Sequence, residues 1–456
     1  MGAKSASPAS SQILSEIGLV DLPDEWTVVR LEDLLSNDRG ISVGVMYPGD
    51  HAPDGIPLIK AGDISGSRIN PNPEFRITPE KHFEYRRTEL AGGELLISLV
   101  GDVGRCALVP PTMAGWNAAR AIAVLRFQSQ AYAGFVRACL MSPPFQHLMR
   151  AWSTTTVQAT LNLKEVRQIP LPWPPAEEQR AIAHILGTLD DKIELNRRRN
   201  QTLEAMARAL FKDWFVDFGP VRANRTGTAC RALTPAPHLP ADLWRLFPDR
   251  LDDEGKPEGW SERPLDEIAD FLNGLALQKF PATDPDDSLP VIKIAELRNG
   301  VSAKSDRASR EVPAKYVIKD GDFLFSWSGS LLAKFWTEGE GALNQHLFKV
   351  TSERYPMWFV SHWVHHHLEE FQAIAASKAT TMGHIQRGHL KAAMTICPPD
   401  NVVGRMGIVM APLVEQSIYN ELEARTLADL RNTLLPKLIS GELRIADAEK
   451  FLRAAA

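Results

Sequence analysis

Between Pro175 and Phe218 the chain carries Ile182, Leu186, Leu189, Ile193, Asn196, Asn200, Leu203, Ala207, Leu210 and Trp214, spaced alternately by four and three residues. That is the seam of a heptad-repeat helix. At about 1.5 Å per residue such a helix runs roughly 60 Å, too long for one wall of a compact domain. Its start is marked by Pro174-Pro175, with Glu177 and Glu178 at the positive end of the helix dipole. Any fold for this chain has to accommodate a rod.

The rod is one member of an internal repeat. Leu22-Pro-Asp-Glu-Trp26 recurs as Lys256-Pro-Glu-Gly-Trp260, and Ile56-Pro-Leu-Ile-Lys60 as Leu289-Pro-Val-Ile-Lys293. Gly92–Gly101 returns as Asp320–Gly329, Asn117 aligns with Asn344, and Thr155-Thr156 leading to Pro174-Pro175 aligns with Thr380-Thr381 leading to Pro398-Pro399. All five correspondences fall in the same order, which chance similarity does not produce. A second helical stretch, Val402 to Ile439, shares the register of the first through Leu413, Asn420, Leu427, Leu434 and Leu438. Pro412 and Pro436 are expected to kink it.

Each globular half reads as mixed α/β. Short apolar runs predict strands at Pro57–Lys60, Glu94–Leu99, Ala121–Phe127, Asp322–Trp327 and Leu347–Thr351, with helices near Tyr132–Met141 and Met357–Ile374. Gly219 to Pro257 is Pro- and Arg-rich and reads as a linker. The order globule, rod, globule, rod needs only short connections if the rods pair antiparallel, with Asn196 and Asn420 fixing register on the seam. The expected class is α+β, two pseudo-symmetric α/β domains separated by a two-helix antiparallel coiled coil. Two similar heads at a fixed separation suit duplex DNA, whose half-sites one helical turn apart lie roughly 34 Å from each other.

Composition narrows the class. The 456 residues are enough for two or three domains, 44 % are hydrophobic, and no apolar run reaches the length of a membrane span. The first residues carry no apolar signal core and read as a disordered tail. Cys106, Cys139, Cys230 and Cys397 form no CxxC pair, so a reduced, cytoplasmic protein without structural zinc is expected. A net charge of −5 argues against a broadly basic DNA coat but leaves room for a local basic groove.

From Leu22 to Ile445 the sequence resembles the specificity subunit of type I restriction-modification systems. The resemblance rests on the Pro-x-x-Trp openings, the Gly-Asp/Glu-hydrophobic-Ser-x-x-Gly strand-loops and the Thr-Thr stretches running into Pro-Pro. It rests also on Glu177-Glu178-Gln179-Arg180, on Leu210-Phe-Lys-Asp-Trp-Phe-Val-Asp-Phe218 and on Leu434-Leu-Pro-Lys-Leu-Ile-Ser-Gly-Glu-Leu443. It implies a disordered tail (1–19), a first target-recognition domain (20–172), a first spacer helix (173–218), a linker (219–256), a second recognition domain (257–397), a second spacer helix (398–443) and a C-terminal tail (444–456). It implies a non-catalytic chain that reads a bipartite site in double-stranded DNA, with two methyltransferase subunits and, for cleavage, two restriction (motor-nuclease) subunits. S-adenosylmethionine, ATP and Mg would be bound by those partners. The second rod departs from the pattern, opening Asp400-Asn-Val-Val where the first has Glu-Glu-Gln. The recognition chain of a type IIB-like enzyme and a coiled-coil scaffold that does not read DNA are the alternatives.

No catalytic set stands out in the residues. Cys397-Pro-Pro-Asp400 lacks the amide and the stacking ring of an adenine methyltransferase motif, and no Walker loop is present. His362 and His366 stand at ligand spacing on a helix, within His362, His365, His366 and His367, but the first half has no matching histidines; a helix face rather than a metal site is expected. Arg197-Arg-Arg199 reads as a solvated helix flank, with a phosphate or subunit contact as the alternatives. Base and phosphate contacts come from Arg, Lys, Asn, Gln, Ser and Thr on loops. The candidates are Lys60, Ser65, Arg68, Arg105, Thr154, Thr155, Thr156 and Gln158 in the first half. In the second they are Lys293, Arg298, Ser328, Ser330, Lys334, Thr380, Thr381, His384, Gln386 and Arg387. Asn117 and Asn344 are expected to cap turns.

Overall fold

The computed structural model describes residues 8–37, 40–66, 68–155, 158–225, 241–284, 286–377, 383–445 and 447. The chain divides into two compact units, Met1–Ile193 with Thr426–Ala456, and Glu194–Arg425.

In the first unit, Thr27–Arg30 pairs antiparallel with Pro170–Trp173. A four-stranded sheet has the order Ile41–Val43, Ile122–Leu125, Leu95–Ser98, Cys106–Leu108. A three-stranded sheet has the order Arg76–Ile77, Ile56–Ile59, Asn117–Ala118, its last pair parallel. The middle strands Leu95–Ser98 and Ile122–Leu125 are buried on both faces, which is why they read as unbroken apolar runs. Helices Ala131–Met141 and Pro143–Trp152 follow, separated by Ser142, where the prolines at 143 and 144 restart the helix.

The second unit repeats this topology. Ser261–Pro264 pairs with Met394–Cys397. One sheet runs Asp270–Asn273, Leu347–Thr351, Phe323–Ser326, Ala333–Phe335; another runs Arg307–Ser309, Ser288–Ile292, Gly341–Leu343, Val317–Ile318, again with one parallel pair in the middle. A single helix, Met357–Ser377, takes the place of the broken pair.

The heptad seam forms a helix from Ala176 to Phe215 and its repeat a helix from Asp400 to Ser440, the latter continuing through Pro412 and Pro436. Each proline removes one backbone hydrogen bond without ending the helix. In the first unit, Glu178 meets Arg444 and Asp190 meets Arg431, so the paired stretches run antiparallel. Ile182, Leu186, Leu189, Leu434 and Leu438 are buried in one core there, with Leu427 packed at its edge and Ile193 half-buried. In the second unit the pairing is also antiparallel: Asn196 donates to Glu423 at 2.6 Å, Asn200 to the Ser417 carbonyl at 2.9 Å and Asn420 to Asn200 at 2.8 Å. Leu203 is half-buried, Leu413 packs against the core, and Leu210 and Trp214 enter an aromatic cluster with Phe211, Phe215, Phe247, Trp260 and Phe359.

Three expectations from the sequence are corrected. Pro8–Glu16 is a helix rather than part of a tail, because Leu14 and, beyond the helix, Leu19 are buried in the first unit's core. The passage 219–256 is no plain linker: Gly219–Arg225 is helical, and Val221, Leu243 and Phe247 are buried in the second unit. Arg444 and Ile445 belong to the first unit rather than to a tail, through an ion pair and a packing contact.

Candidate nucleic-acid interface

Both units build the same backbone frame at one end of their four-stranded sheets. In the first unit the Leu99 amide donates to the Ala121 carbonyl (2.7 Å), Leu161 to Leu99 (2.9 Å) and Gly101 to Ala159 (3.0 Å). In the second, Trp327 donates to His346 (3.3 Å), Ile385 to Trp327 (2.9 Å) and Gly329 to Gly383 (2.8 Å). The loop turns the same way in each: Ser98 Oγ donates to the Asp102 carbonyl and Ser326 Oγ to the Ser330 carbonyl. Gly101 and Gly329 sit at φ of 80° and 63°, where a side chain is strained. Three loops therefore meet in each unit: 98–105, 119–121 and 158–161 in one, 326–332, 344–346 and 383–387 in the other.

These pairings also correct the alignment of Asn117 with Asn344. Asn117 pairs with Leu58 and Ala342 with Val291, so Asn117 is equivalent to Ala342, while Asn344 is equivalent to Ala119. Asn117 is buried, its Oδ1 accepting from Thr88 at 2.6 Å; Asn344 accepts from the His346 amide at 3.2 Å.

The frame gathers several of the sequence candidates. Gln158 is exposed on the third loop of the first unit, and exposed Thr154 pairs with Thr160 of that loop. Thr155 lies in the strand Thr154–Thr155, and Thr156 lies outside the described residues. Ser328, Ser330 and His384 lie together in the second unit; Ser328 is buried with its Oγ 3.0 Å from His346 Nδ1, and the His384 ring meets Trp327 edge-on. Exposed Arg298 lines a cleft of about 420 Å³ beside Ser330, Gln372 and Gly383. Gln386 caps a short helix, and Arg387 donates to the Phe271 carbonyl at 3.3 Å. Thr380 and Thr381 lie outside the described residues.

Other candidates are held by intramolecular partners. Arg105 donates to Asp102 at 2.7 Å and to the Ile64 carbonyl at 2.9 Å, tying the first loop to the hairpin that carries exposed Ser65. Arg68, on the same hairpin, pairs with Asp191 at 3.0 Å, and Lys293 pairs with Asp306. Lys60 lies over the Phe75 ring at 3.9 Å. Lys334 faces Glu204 and Glu338; burial pushes both carboxyls above the usual range, and Lys334 moderates the shift.

The histidine row is a packing feature. His362 and His365 are set against the Trp358 carbonyl (2.6 Å) and the Ala333 carbonyl (2.9 Å), and burial lowers the His362 pKa to about 4. His367 contacts the Met394 carbonyl at 3.0 Å. Among the described residues no group of three or more His, Cys, Asp or Glu could hold a metal ion. Cys106, Cys139 and Cys397 are buried free thiols, and Cys230 lies outside the described residues. No helix among the described residues is long and apolar enough to cross a membrane. Arg197 and Arg198 pair with Glu194 on their own helix.

The sequence reading missed Arg120, Gln345 and His346 on the middle loop of each frame, because the misplaced asparagine match hid their equivalence. It also passed over Arg86 and Arg87, which with Arg126 line a cleft of about 540 Å³ in the first unit.

Residues 23–205 match the family described as type I restriction modification DNA specificity domain. A type I restriction enzyme specificity subunit of Methanocaldococcus jannaschii (MjaIX) is 26 % identical over 295 residues, 62 % of each chain. The Escherichia coli EcoBI specificity subunit is 30 % identical over 198 residues, 41 % of this chain and 42 % of that one. The chain thus spans under two thirds of the length of these relatives. The crystal structure of a type I restriction-modification S subunit from M. genitalium superposes with a TM-score of 0.53 at 13 % identity, covering 92 % of this chain and 98 % of the other. The chain is similar to type I specificity subunits, alike in fold over nearly its whole length and alike in sequence over shorter stretches.

Proposed function

We propose that this chain is the sequence-specific DNA-binding specificity subunit of a type I restriction-modification complex. Each unit reads one half of a split, asymmetric target in double-stranded DNA, and the long helices set the spacing and dock methyltransferase and restriction subunits. The observation that carries the reading is a backbone frame built twice with unlike side chains, as two unlike half-sites require. Val100 and Thr160 stand in one unit where Ser328 and His384 stand in the other. Helices of 40 and 41 residues suit a spacer. The chain performs no catalysis in this reading; S-adenosylmethionine, ATP and Mg act on the partner subunits, in the cytoplasm.

The test is expression of the methyltransferase partner with and without this chain, followed by methylation mapping of host DNA. The expected result is methylation of a split site only when both are present. Methylation of the same site by the partner alone would sink the reading, and a full complex that methylates no split site would favour the scaffold.

A further inference from the structure

The two frames hold a matched pair of residues that no sequence motif singles out. The Arg120 amide donates to the Val45 carbonyl at 2.9 Å, and the Gln345 amide donates to the Leu275 carbonyl at 2.9 Å. Both follow a residue in a parallel bridge, Ala119 with Val45 and Asn344 with Leu275, and both precede the residue whose carbonyl anchors the first loop. Arg120 and Gln345 are therefore the same position of the frame, at the tip of the middle loop. Next to that tip lies the first loop of each frame, whose Val100 bridges to Thr160 in one unit and whose Ser328 bridges to His384 in the other.

Their side chains are placed for an outside partner. Arg120 is exposed, and its guanidinium has no hydrogen bond or ion pair among the described residues, whereas Arg68 and Arg105 of the same unit are both held by carboxylates. Gln345 is half-buried with its amide nitrogen 3.4 Å from His346 Nε2, while His346 Nδ1 lies 3.0 Å from Ser328 Oγ. If the amide donates, the ring accepts at Nε2 and donates from Nδ1 to Ser328. That leaves Gln345 Oε1 and its second amide hydrogen unused on an oriented side chain. Arginine pairs two donors with O6 and N7 of guanine, and glutamine pairs one donor and one acceptor with N7 and N6 of adenine.

Resting on the specificity-subunit reading, we infer that this position is a base-reading position in both units, Arg120 recognising a guanine of one half-site and Gln345 an adenine of the other. The first loop of each frame, which the sequence pointed to, lies next to the readout residues.

The experiment uses the full chain expressed with its methyltransferase partner, with methylation mapped base by base. Arg120→Lys and Arg120→Ala both lose about ten-fold or more of the preference for guanine at one position of one half-site, while the other half-site is read as before. Gln345→Ala does the same for one adenine in the opposite half-site. Arg120→Lys keeps the charge and loses the planar fork, which separates readout from phosphate contact. An unchanged consensus overturns the inference, as does a uniform loss for Arg120→Ala that Arg120→Lys restores. If a variant directs no methylation, competition binding of that purified chain to duplexes differing at the one base decides the matter: lost discrimination at that base supports the inference, and retained discrimination overturns it. Failure of the wild-type complex to methylate any split site sinks the specificity reading itself; an intact wild-type consensus with unaltered variants sinks only this assignment.

Discussion

The indole Nε1–H of Trp26 donates to Oε2 of Glu178 at 3.0 Å. The same carboxylate takes Arg444 on its other oxygen at 3.0 Å, and Arg444 also pairs with Glu25 at 2.6 Å. One contact thus joins the Pro-x-x-Trp opening, the Glu-Glu-Gln helix start and the segment after the second long helix. Trp260, the equivalent tryptophan of the second unit, packs instead against Phe215, Phe218 and Phe247, and Asp400, where the second helix begins, pairs with Arg354. The missing Glu-Glu-Gln in the repeat is matched by a different local solution.

Glu178→Ala leaves a buried indole donor without its acceptor and should destabilise the first unit by about 1–3 kcal/mol in urea denaturation. Glu178→Gln keeps an acceptor for Trp26 and loses the ion pair, so it should fall between wild type and alanine. Equal stability of all three proteins would show that the contact does not matter.

Asp190 carries more. Its side chain is 11 % exposed and accepts from Arg137, 12 % exposed, at 3.1 Å and from Arg431 at 2.8 Å. Asp190→Ala strands the Arg137 charge in a dry site and should cost about 3–5 kcal/mol. Adding Arg137→Leu should recover a large part of that loss in a double-mutant cycle. Additive losses would show that the two residues are not coupled.

What was legible in the sequence followed from periodicity. The heptad spacing gave both long helices and the apolar runs gave the central strands, because burial on one stripe or on both faces leaves a local trace. Trp26, Glu178 and Arg444 left none, since 266 residues separate the last two. The asparagine match failed for a related reason: equivalence in the fold is set by backbone pairing, and the identical side chains lie two positions apart. Among the candidate site residues, the loops 98–105 and 326–332 were found through their glycines. No composition signal could show that Arg105 and Lys293 are tied to acids, or that Arg120 is not.

The asparagine layer of the long helices gives a third prediction. Asn200 accepts from Asn420 and donates to Ser417, and Asn196 donates to Glu423, all in the second unit. Asn420→Leu alone leaves Asn200 buried with an unmatched acceptor and should destabilise by about 1–3 kcal/mol. Asn200→Leu with Asn420→Leu should be nearly neutral or stabilising, because two leucines pack where two amides had to satisfy each other. A double variant less stable than Asn420→Leu would contradict this account of the layer.

His362 supplies the pH dependence. Burial is the main cause that lowers its pKa from 6.5 to about 4, with His365 and Arg208 adding repulsion against the hydrogen bond to the Trp358 carbonyl; His365 and His366 are lowered as well. A base whose folded pKa is depressed binds its proton more readily in the unfolded chain. Stability is therefore retained above pH 6.5 and lost as the pH falls from about 6.5 towards about 4. Glu204 and Glu338, raised by burial, work in the opposite sense, since the folded unit favours their protonated forms. Comparison with His362→Leu isolates the histidine. The variant's urea midpoint should fall less steeply than the wild type's between pH 7 and pH 4.5, and parallel curves would show that His362 does not titrate in this window.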